Sequence, residues 1–240
     1  LARWFADPKI GAVAGNAKVG NRVNLLTKFQ AVEYITAQNL ERRALARLDA
    51  MTVVPGAVGA WRLAAIQQVG GYPDDTLAED QDLTIAIQRA GWKVTYDQYA
   101  IAWTESPETV KGLAKQRFRW AFGTLQCLWK HGIIIATGKP RGLARVGLPQ
   151  AILFQIVFAA ISPIIDLALI VSFVTTYLAV QAHGWAQTQH DVEKMLLYWL
   201  VFTAIDLLAA TVAFALERRE NWRLLWLLIP QRIGYRQIMY

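Results

Sequence analysis

Three carboxylates crowd the segment Leu77-Ala-Glu-Asp-Gln-Asp82, at the start of what reads as a helix. There they complement the positive end of the helix dipole, each worth ~0.3–1 kcal/mol. The same place suits a general base held at the helix mouth, with a second carboxylate to orient it. Asp80-x-Asp82 also has the form of a metal-binding pair. Residues two apart on a helix turn away from each other, however, so a shared metal is the weaker use.

A second group lies in Gln116-Arg-Phe-Arg-Trp120. Gln116, Arg119 and Trp120 stand at i, i+3 and i+4 and share one face of a helix, with Gly112, Gly123 and Cys127 on the same side. Phe118, Phe122, Leu125 and Trp129 take the opposite, apolar side. A basic helix on a membrane surface accounts for the apolar side. It leaves the Gln-Arg-Trp cluster between glycines unexplained. An amide, a fixed cation and an indole together suit a sugar ring beside a phosphate. Pro55-Gly-Ala-Val-Gly-Ala-Trp-Arg62 is a turn punctuated by Gly56 and Gly59, without the spacing of a nucleotide-phosphate loop. Cys127 reads as a small packing residue. His131, His183 and His190 lack metal-ligand spacing and are expected in solvated loops.

These groups need elements to hold them. Ile10–Val19 is rich in small and β-branched residues and predicts a strand. Apolar residues from Leu25 to Leu48 keep helical spacing. Met51–Pro55 and Ala57–Arg62 read as short strands broken by Gly56. Leu63–Val69 reads as a short helix closed by Gly70-Gly71. Glu79–Ala90 predicts a helix burying Leu83, Ala86, Ile87 and Ala90. Trp92–Tyr96 predicts a strand and Glu108–His131 a long amphipathic helix. The pattern of residues 1–145 is α/β.

The remainder is of another kind. The 240 residues are 55% hydrophobic and only 18% charged, which excludes a disordered chain. With ten tryptophans the composition points to a membrane. A single cysteine excludes an internal disulfide framework and a cysteine-bound zinc. The net charge of +7 lies wholly before residue 147. Eight basic and no acidic residues run from Lys111 to Arg145, directly before an apolar stretch. Val146–Gln181 carries one charge, Asp166, and is too long for one straight span, with a break expected at Ser162-Pro163. Met195–Leu216 carries one charge, Asp206. Arg218, Arg219 and Arg223 follow it. Counting positive charge puts residues 1–145 and 217–240 in the cytoplasm and a short loop, 182–194, outside. Trp222, Trp226, Tyr235 and Tyr240 mark the tail as interfacial. Asp166 and Asp206 are expected to face protein or water.

Taken in order, the Gly56–Gly59 turn, Glu79-Asp80 and Gln116-x-x-Arg119-Trp120 leading into membrane helices resemble the processive family 2 glycosyltransferases. These include the cellulose, chitin and hyaluronan synthases and the bacterial poly-β-1,6-N-acetylglucosamine synthases. The likeness to the last group rests on Gly11–Asn21, Phe29–Ile35, Leu77–Thr84 and Lys115–Leu125, and continues to Tyr235-Arg-Gln237. It implies that residues 1–145 are the C-terminal part of a GT-A domain. The nucleotide-binding half would precede Leu1, with an Asp-x-Asp that holds Mg²⁺ or Mn²⁺, and residues 1–240 alone would be inactive. Asp80 would be the catalytic base, and Glu79 before it would bind substrate. Gln116, Arg119 and Trp120 would bind the donor diphosphate and the acceptor sugar, and Gly56 and Gly59 would lie near the acceptor. Ala78 departs from the family's usual threonine and leaves the base intact. The partners implied are a UDP-sugar, most of all UDP-N-acetylglucosamine, the growing polysaccharide, the lipid bilayer of a bacterial plasma membrane and a small membrane subunit.

Two other classes fit less well. A channel subunit would use Asp166 and Asp206 but has no need of the α/β part. A nucleic-acid-binding protein would use the positive charge, but needs aromatic residues interleaved with basic ones on the α/β part. The basic run borders the membrane stretch instead.

Overall fold

The computed structural model describes residues 1–217, 219–232 and 234–238. Arg218 and Tyr240, counted above for topology and for the interfacial tail, lie outside the described residues. The chain divides into two compact units, Leu1–Ile156 and Val157–Tyr240.

The first unit is built on β1 (Ile10–Val19), every residue of which is buried. Its small side chains let elements pack closely on both faces. Helix α1 (Leu25–Glu33) starts from a capping box in which Asn24 and Thr27 exchange side-chain and backbone bonds. It passes through a π-helical stretch, Tyr34–Asn39, into α2 (Leu40–Arg47). The extra residue per turn lets Asn39 donate to the Ala17 carbonyl of β1 at 3.2 Å. Strand β2 (Gly59–Trp61) pairs antiparallel with β1, Ala12 facing Trp61. Helix α3 (Leu63–Gln68) follows, closed by Gly70 and Gly71 with positive φ. Helix α4 (Glu79–Arg89) buries Leu83, Ile85 and Ile87, while Ala86 and Ala90 are only half-buried.

Strand β3 (Lys93–Thr104) runs parallel to β1 on its other side, giving the order β2-β1-β3. It is far longer than the expected Trp92–Tyr96. Its register shifts between Gly15 and Asn16, so Gln98, Tyr99 and Ala100 bulge out. Asp97 holds the bulge by accepting from the Tyr99 amide at 3.0 Å and from Arg3 and the Trp4 indole. The polar Asp-Gln-Tyr of the bulge is what hides the second half of the strand from its pattern.

Met51–Pro55 is not a strand, contrary to the expectation. Its backbone is held by side chains of α4, four residues apart. Gln88 donates to the Met51 carbonyl. Thr84 Oγ1 accepts from the Val54 amide at 2.9 Å and donates to the Asp80 carbonyl at 2.6 Å. Asp80 Oδ2 accepts from the Gly56 amide at 3.0 Å. One polar stripe on α4 thus replaces a sheet neighbour.

Helix α5 (Val110–Lys130) is followed by the short α6 (Ile133–Thr137), whose Ile134 packs with Ile85 and Cys127. A π-helical stretch, Leu143–Gly147, and α7 (Leu148–Ala151) close the unit. The second unit holds α8 (Phe158–His183), with Pro163 inside it, and α9 (Trp185–Leu216). Leu143–His183 and Trp185–Leu216 are long and apolar enough to cross a membrane. Residues 182–194 are therefore no loop: only Gly184, at φ +77°, interrupts the helices. In that conformation a glycine is favoured and two helices can meet with no further linker. Within this unit the polar residues of the tail return to the two apolar helices. Arg232, after α10 (Leu228–Gln231), pairs with Asp206 and donates to Thr203 Oγ1 at 3.1 Å. Gln237, in α11 (Tyr235–Ile238), donates to Asp166 at 2.8 Å.

The Thr84 bridge can be tested alone. Thr84→Val leaves the buried Val54 amide without its acceptor and is expected to cost about 1–3 kcal/mol. Thr84→Ser keeps the hydroxyl and should cost less. Thermal unfolding of both variants checks this; equal losses would show that the hydroxyl contributes nothing.

Candidate active site

The site begins where α5 leans on the mouth of α4. A Cβ on Gly123 would come within 2.7 Å of the Ala78 Cβ and 2.8 Å of its amide nitrogen, so a bare backbone is needed here. Side chains either side of Gly123 complete the contact. Gln126 accepts from the Leu77 amide at 2.8 Å, and Thr124 donates to Gln81 at 2.9 Å. Cys127 is buried under the Ala78 carbonyl, and burial pushes its thiol up to about 12, so it packs as a thiol.

One turn further on, Asp82 is 1% exposed and accepts from three donors: Thr76 at 3.1 Å, Lys130 at 2.8 Å and His131 Nε2 at 2.7 Å. Lys130 also binds Asp75 at 2.7 Å. His131 was expected in solvent, yet it is 2% exposed. Its Nδ1 lies 3.0 Å from Arg89 Nη1. A guanidinium can only donate, so Nδ1 accepts and the Nε2–H is left for Asp82. A buried carboxylate needs such donors, which is why this histidine is drawn inside. His183 and His190 are exposed as expected, but on α8 and α9 rather than in loops.

Asp80 is half-buried. Its Oδ2 accepts from Gly56 and its Oδ1 from the Gln81 amide at 2.8 Å. Burial pushes its carboxyl up from the ordinary range; the Gly56 and Gln81 amides oppose the rise and the charge of Glu79 adds to it. Glu79 itself is exposed. The two glycines differ in kind. Gly56 supplies its N–H to Asp80. Gly59 has no room for a side chain, since a Cβ would lie 2.8 Å from Val54 and 3.2 Å from the Pro55 carbonyl.

Trp120, one turn before Gly123, packs against the apolar cluster of Ala17, Val19, Ala31, Tyr34 and Val58. Val58, from the turn that binds Asp80, belongs to the same cluster. Arg119 is exposed beside it. Gln116 is half-buried, and its Oε1 is buried without a hydrogen-bond partner among the described residues. The far side of α5 is open: Phe118 is 69% and Trp129 92% exposed, and Phe118 stacks on Phe122 at 5.9 Å. The three segments singled out in the sequence thus come together, through Gly56 on Asp80, Val58 in the cluster on which Trp120 packs, and Gly123 on Ala78. Gly112 does not take part; it lies against Thr109 and Pro107.

Other contacts of the site carry little sequence signal. Glu33 pairs with Arg117 across 84 residues, and His131 with Asp82 across 49. Only the Asp80, Thr84 and Gln88 stripe could have been found from its spacing. A divalent cation does not fit Asp80 and Asp82 as a pair, because Asp82 is already taken up by Thr76, Lys130 and His131. Among the described residues, no three acidic, histidine or cysteine side chains are grouped to hold one.

The profile of a family described as Glycosyl transferase family group 2 matches residues 1–216. The chain belongs to this family. Among similar proteins, the poly-β-1,6-N-acetyl-D-glucosamine synthase of Staphylococcus aureus (strain COL) is 33% identical over 117 residues, 49% of this chain and 28% of that protein. The synthase of the same name from Staphylococcus epidermidis is 26% identical over 215 residues, 89% of this chain and 50% of that protein. The chain spans about half the length, or less, of the curated relatives it matches. A solved mannosyltransferase from Pyrobaculum calidifontis, in complex with GDP-Man and Mn²⁺, is 20% identical with a TM-score of 0.48, over 98% of this chain and 56% of that one.

In this member of the family the anchor at Asp82 has a pH signature. Burial raises the Asp82 carboxyl, but the hydrogen bonds from His131 and Lys130 and the charge of Lys130 outweigh burial and hold it below the ordinary range. A carboxyl whose folded value is depressed stabilises the fold above its unfolded value, near ~4, and loses that contribution as pH falls through the folded value. Melting temperature should therefore drop on acidification below about pH 4. Asp82→Asn should flatten that acid limb while costing roughly 1–3 kcal/mol at neutral pH. An unchanged acid limb in the variant would remove Asp82 as its source.

Proposed function

We propose that this chain carries the acceptor side of the active site of an inverting, membrane-embedded glycosyltransferase. Its donor is UDP-N-acetylglucosamine and its product a β-linked polysaccharide. The observation that carries this reading is the Asp80 carboxylate, fixed at the mouth of α4 by the Gly56 amide. The same turn contributes Val58 to the apolar cluster on which Trp120 packs, and Arg119, next to Trp120 in the chain, is exposed. The names of the staphylococcal relatives support the sugar.

In the reaction, Asp80 takes the proton of the acceptor hydroxyl as that oxygen attacks C1 of the donor sugar. The bond from C1 to the diphosphate breaks on the opposite side, and the anomeric centre inverts. Partial burial suits Asp80 to this task, since a carboxylate raised above its usual range is a stronger base. Arg119 offers a fixed cation to the departing diphosphate. Trp120 offers an apolar platform to the C–H face of the acceptor sugar. No step is assigned to a cation held by Asp80 and Asp82. The basic run before α8, and Arg219 and Arg223 after α9, support a cytoplasmic active site by the positive-inside rule, on the side where nucleotide sugars are made.

Asp80→Asn keeps the shape of the side chain but cannot accept the proton. In the full-length protein it should lower transfer by ~10²–10⁴ with donor binding unchanged. Glu79→Gln removes a charge that raises the Asp80 carboxyl, so the acid limb of the kcat/KM profile should move to lower pH. Labelled polymer formation at a series of pH values measures both; normal output from Asp80→Asn would exclude it as the base.

Arg119→Ala should lower kcat even at saturating donor, by roughly 10²–10³ if its charge meets the transition state. A rise in donor KM with kcat intact would instead make Arg119 a ground-state contact.

A further inference from the structure

Arg117 stands between Gln116 and Arg119 but does something different from either. Its Nη1 and Nη2 each donate to one oxygen of Glu33 at 2.8 Å. The pair is shielded from water, with 12% and 13% of the side chains exposed. Its Cζ lies 4.6 Å from the centroid of the Trp120 ring. Glu33 is the last residue of α1, and the next residue, Tyr34, belongs to the apolar cluster on which Trp120 packs.

We infer that Glu33 and Arg117 fix the plane of the Trp120 ring, which makes Arg117 a positioning residue for the acceptor sugar. This rests on the reading of Trp120 as the acceptor platform. A two-bond fork to a carboxylate fixes the plane of a guanidinium, which an ammonium cannot reproduce. The ring that lies under that cation then takes its orientation from α1. Helix α5 alone could bring residues 117 and 120 to one side, three positions apart, but could not choose the angle between them. Joining α1 to α5 would need only an ion pair. Arg117 goes further: its Nε is buried with no hydrogen-bond partner among the described residues. Leaving that N–H unmet is unfavourable. The arrangement gives up a hydrogen bond and keeps the cation over the ring.

The test uses the full-length enzyme in membranes, with an N-acetylglucosamine oligosaccharide as primer and labelled UDP-N-acetylglucosamine as donor. Extension of the primer and hydrolysis of the donor without primer are measured for Arg117→Lys, Glu33→Gln, the charge-swapped Glu33→Arg/Arg117→Glu, and Trp120→Ala. Arg117→Lys and Glu33→Gln should raise the primer KM about tenfold, while donor KM and donor hydrolysis stay within about twofold. The charge swap restores an ion pair but puts no cation over the ring, so its primer KM should remain high. A swap that returns the primer KM to the wild-type value would reduce the pair to a tether and overturn the inference. So would a normal primer KM in Arg117→Lys beside a raised one in Trp120→Ala, although Trp120 would then keep its place as the platform. A normal primer KM in Trp120→Ala itself would remove the platform, and the inference with it.

Discussion

A buried carboxylate cannot be left alone, and Asp82 is the most deeply buried one near the site. Its three donors come from the segment before α4 and from the end of α5. Meeting that need fixes where α5 ends relative to where α4 begins. Everything else in the site is hung from this junction. Gly123 can lie on Ala78 only if the two helices are held at backbone distance. Trp120 then falls beside the turn that carries Gly56. The residue that looked in sequence like half of a metal pair is a structural anchor, and its neighbour two positions earlier is left free for chemistry.

The second organising element is the polar stripe of α4. Side chains that bind a backbone can be aimed more finely than a strand, because each can be long or short. Gln88 reaches the far end of the Met51–Gly56 segment, Thr84 its middle, and Asp80 its glycine. The candidate base is thus the last rung of the ladder that holds the loop beside it. Its position and the position of the turn are set together.

Much of this was legible beforehand. The ends of β1 were readable because a run of small and β-branched residues admits little else, and the glycines marked where α3 stops. The Gln-x-x-Arg-Trp face could be drawn from helical periodicity, since i, i+3 and i+4 fix a direction without any knowledge of the partner. Periodicity fails where a residue answers to a distant one. Nothing near His131 in the chain announces Asp82, so it passed for a loop residue. The bulge at Gln98–Ala100 broke the alternation of β3 and hid half the strand. Residues 182–194 were polar enough to suggest a loop. In a chain this apolar, a few polar residues at the end of a helix are no bar to its continuing, and one glycine was enough to turn it.

Helix α5 comes nearest to the backbone before α4 at Gly123 and shows Phe118, Phe122, Leu125 and Trp129 to the outside. Gly123 is therefore a fulcrum. Trp120 stands about 4.5 Å along the axis on one side of it, and His131, just past the end of the helix, roughly 12 Å on the other. Pressure on Phe118 or Trp129 acts on opposite arms of this seesaw. The longer arm is the one locked by Asp82, which gives the anchor a leverage of more than two to one over the end that carries the indole. A push from the apolar side is thus resisted at both ends of the beam, by Asp82 beyond Gly123 and by Glu33, through Arg117, before it.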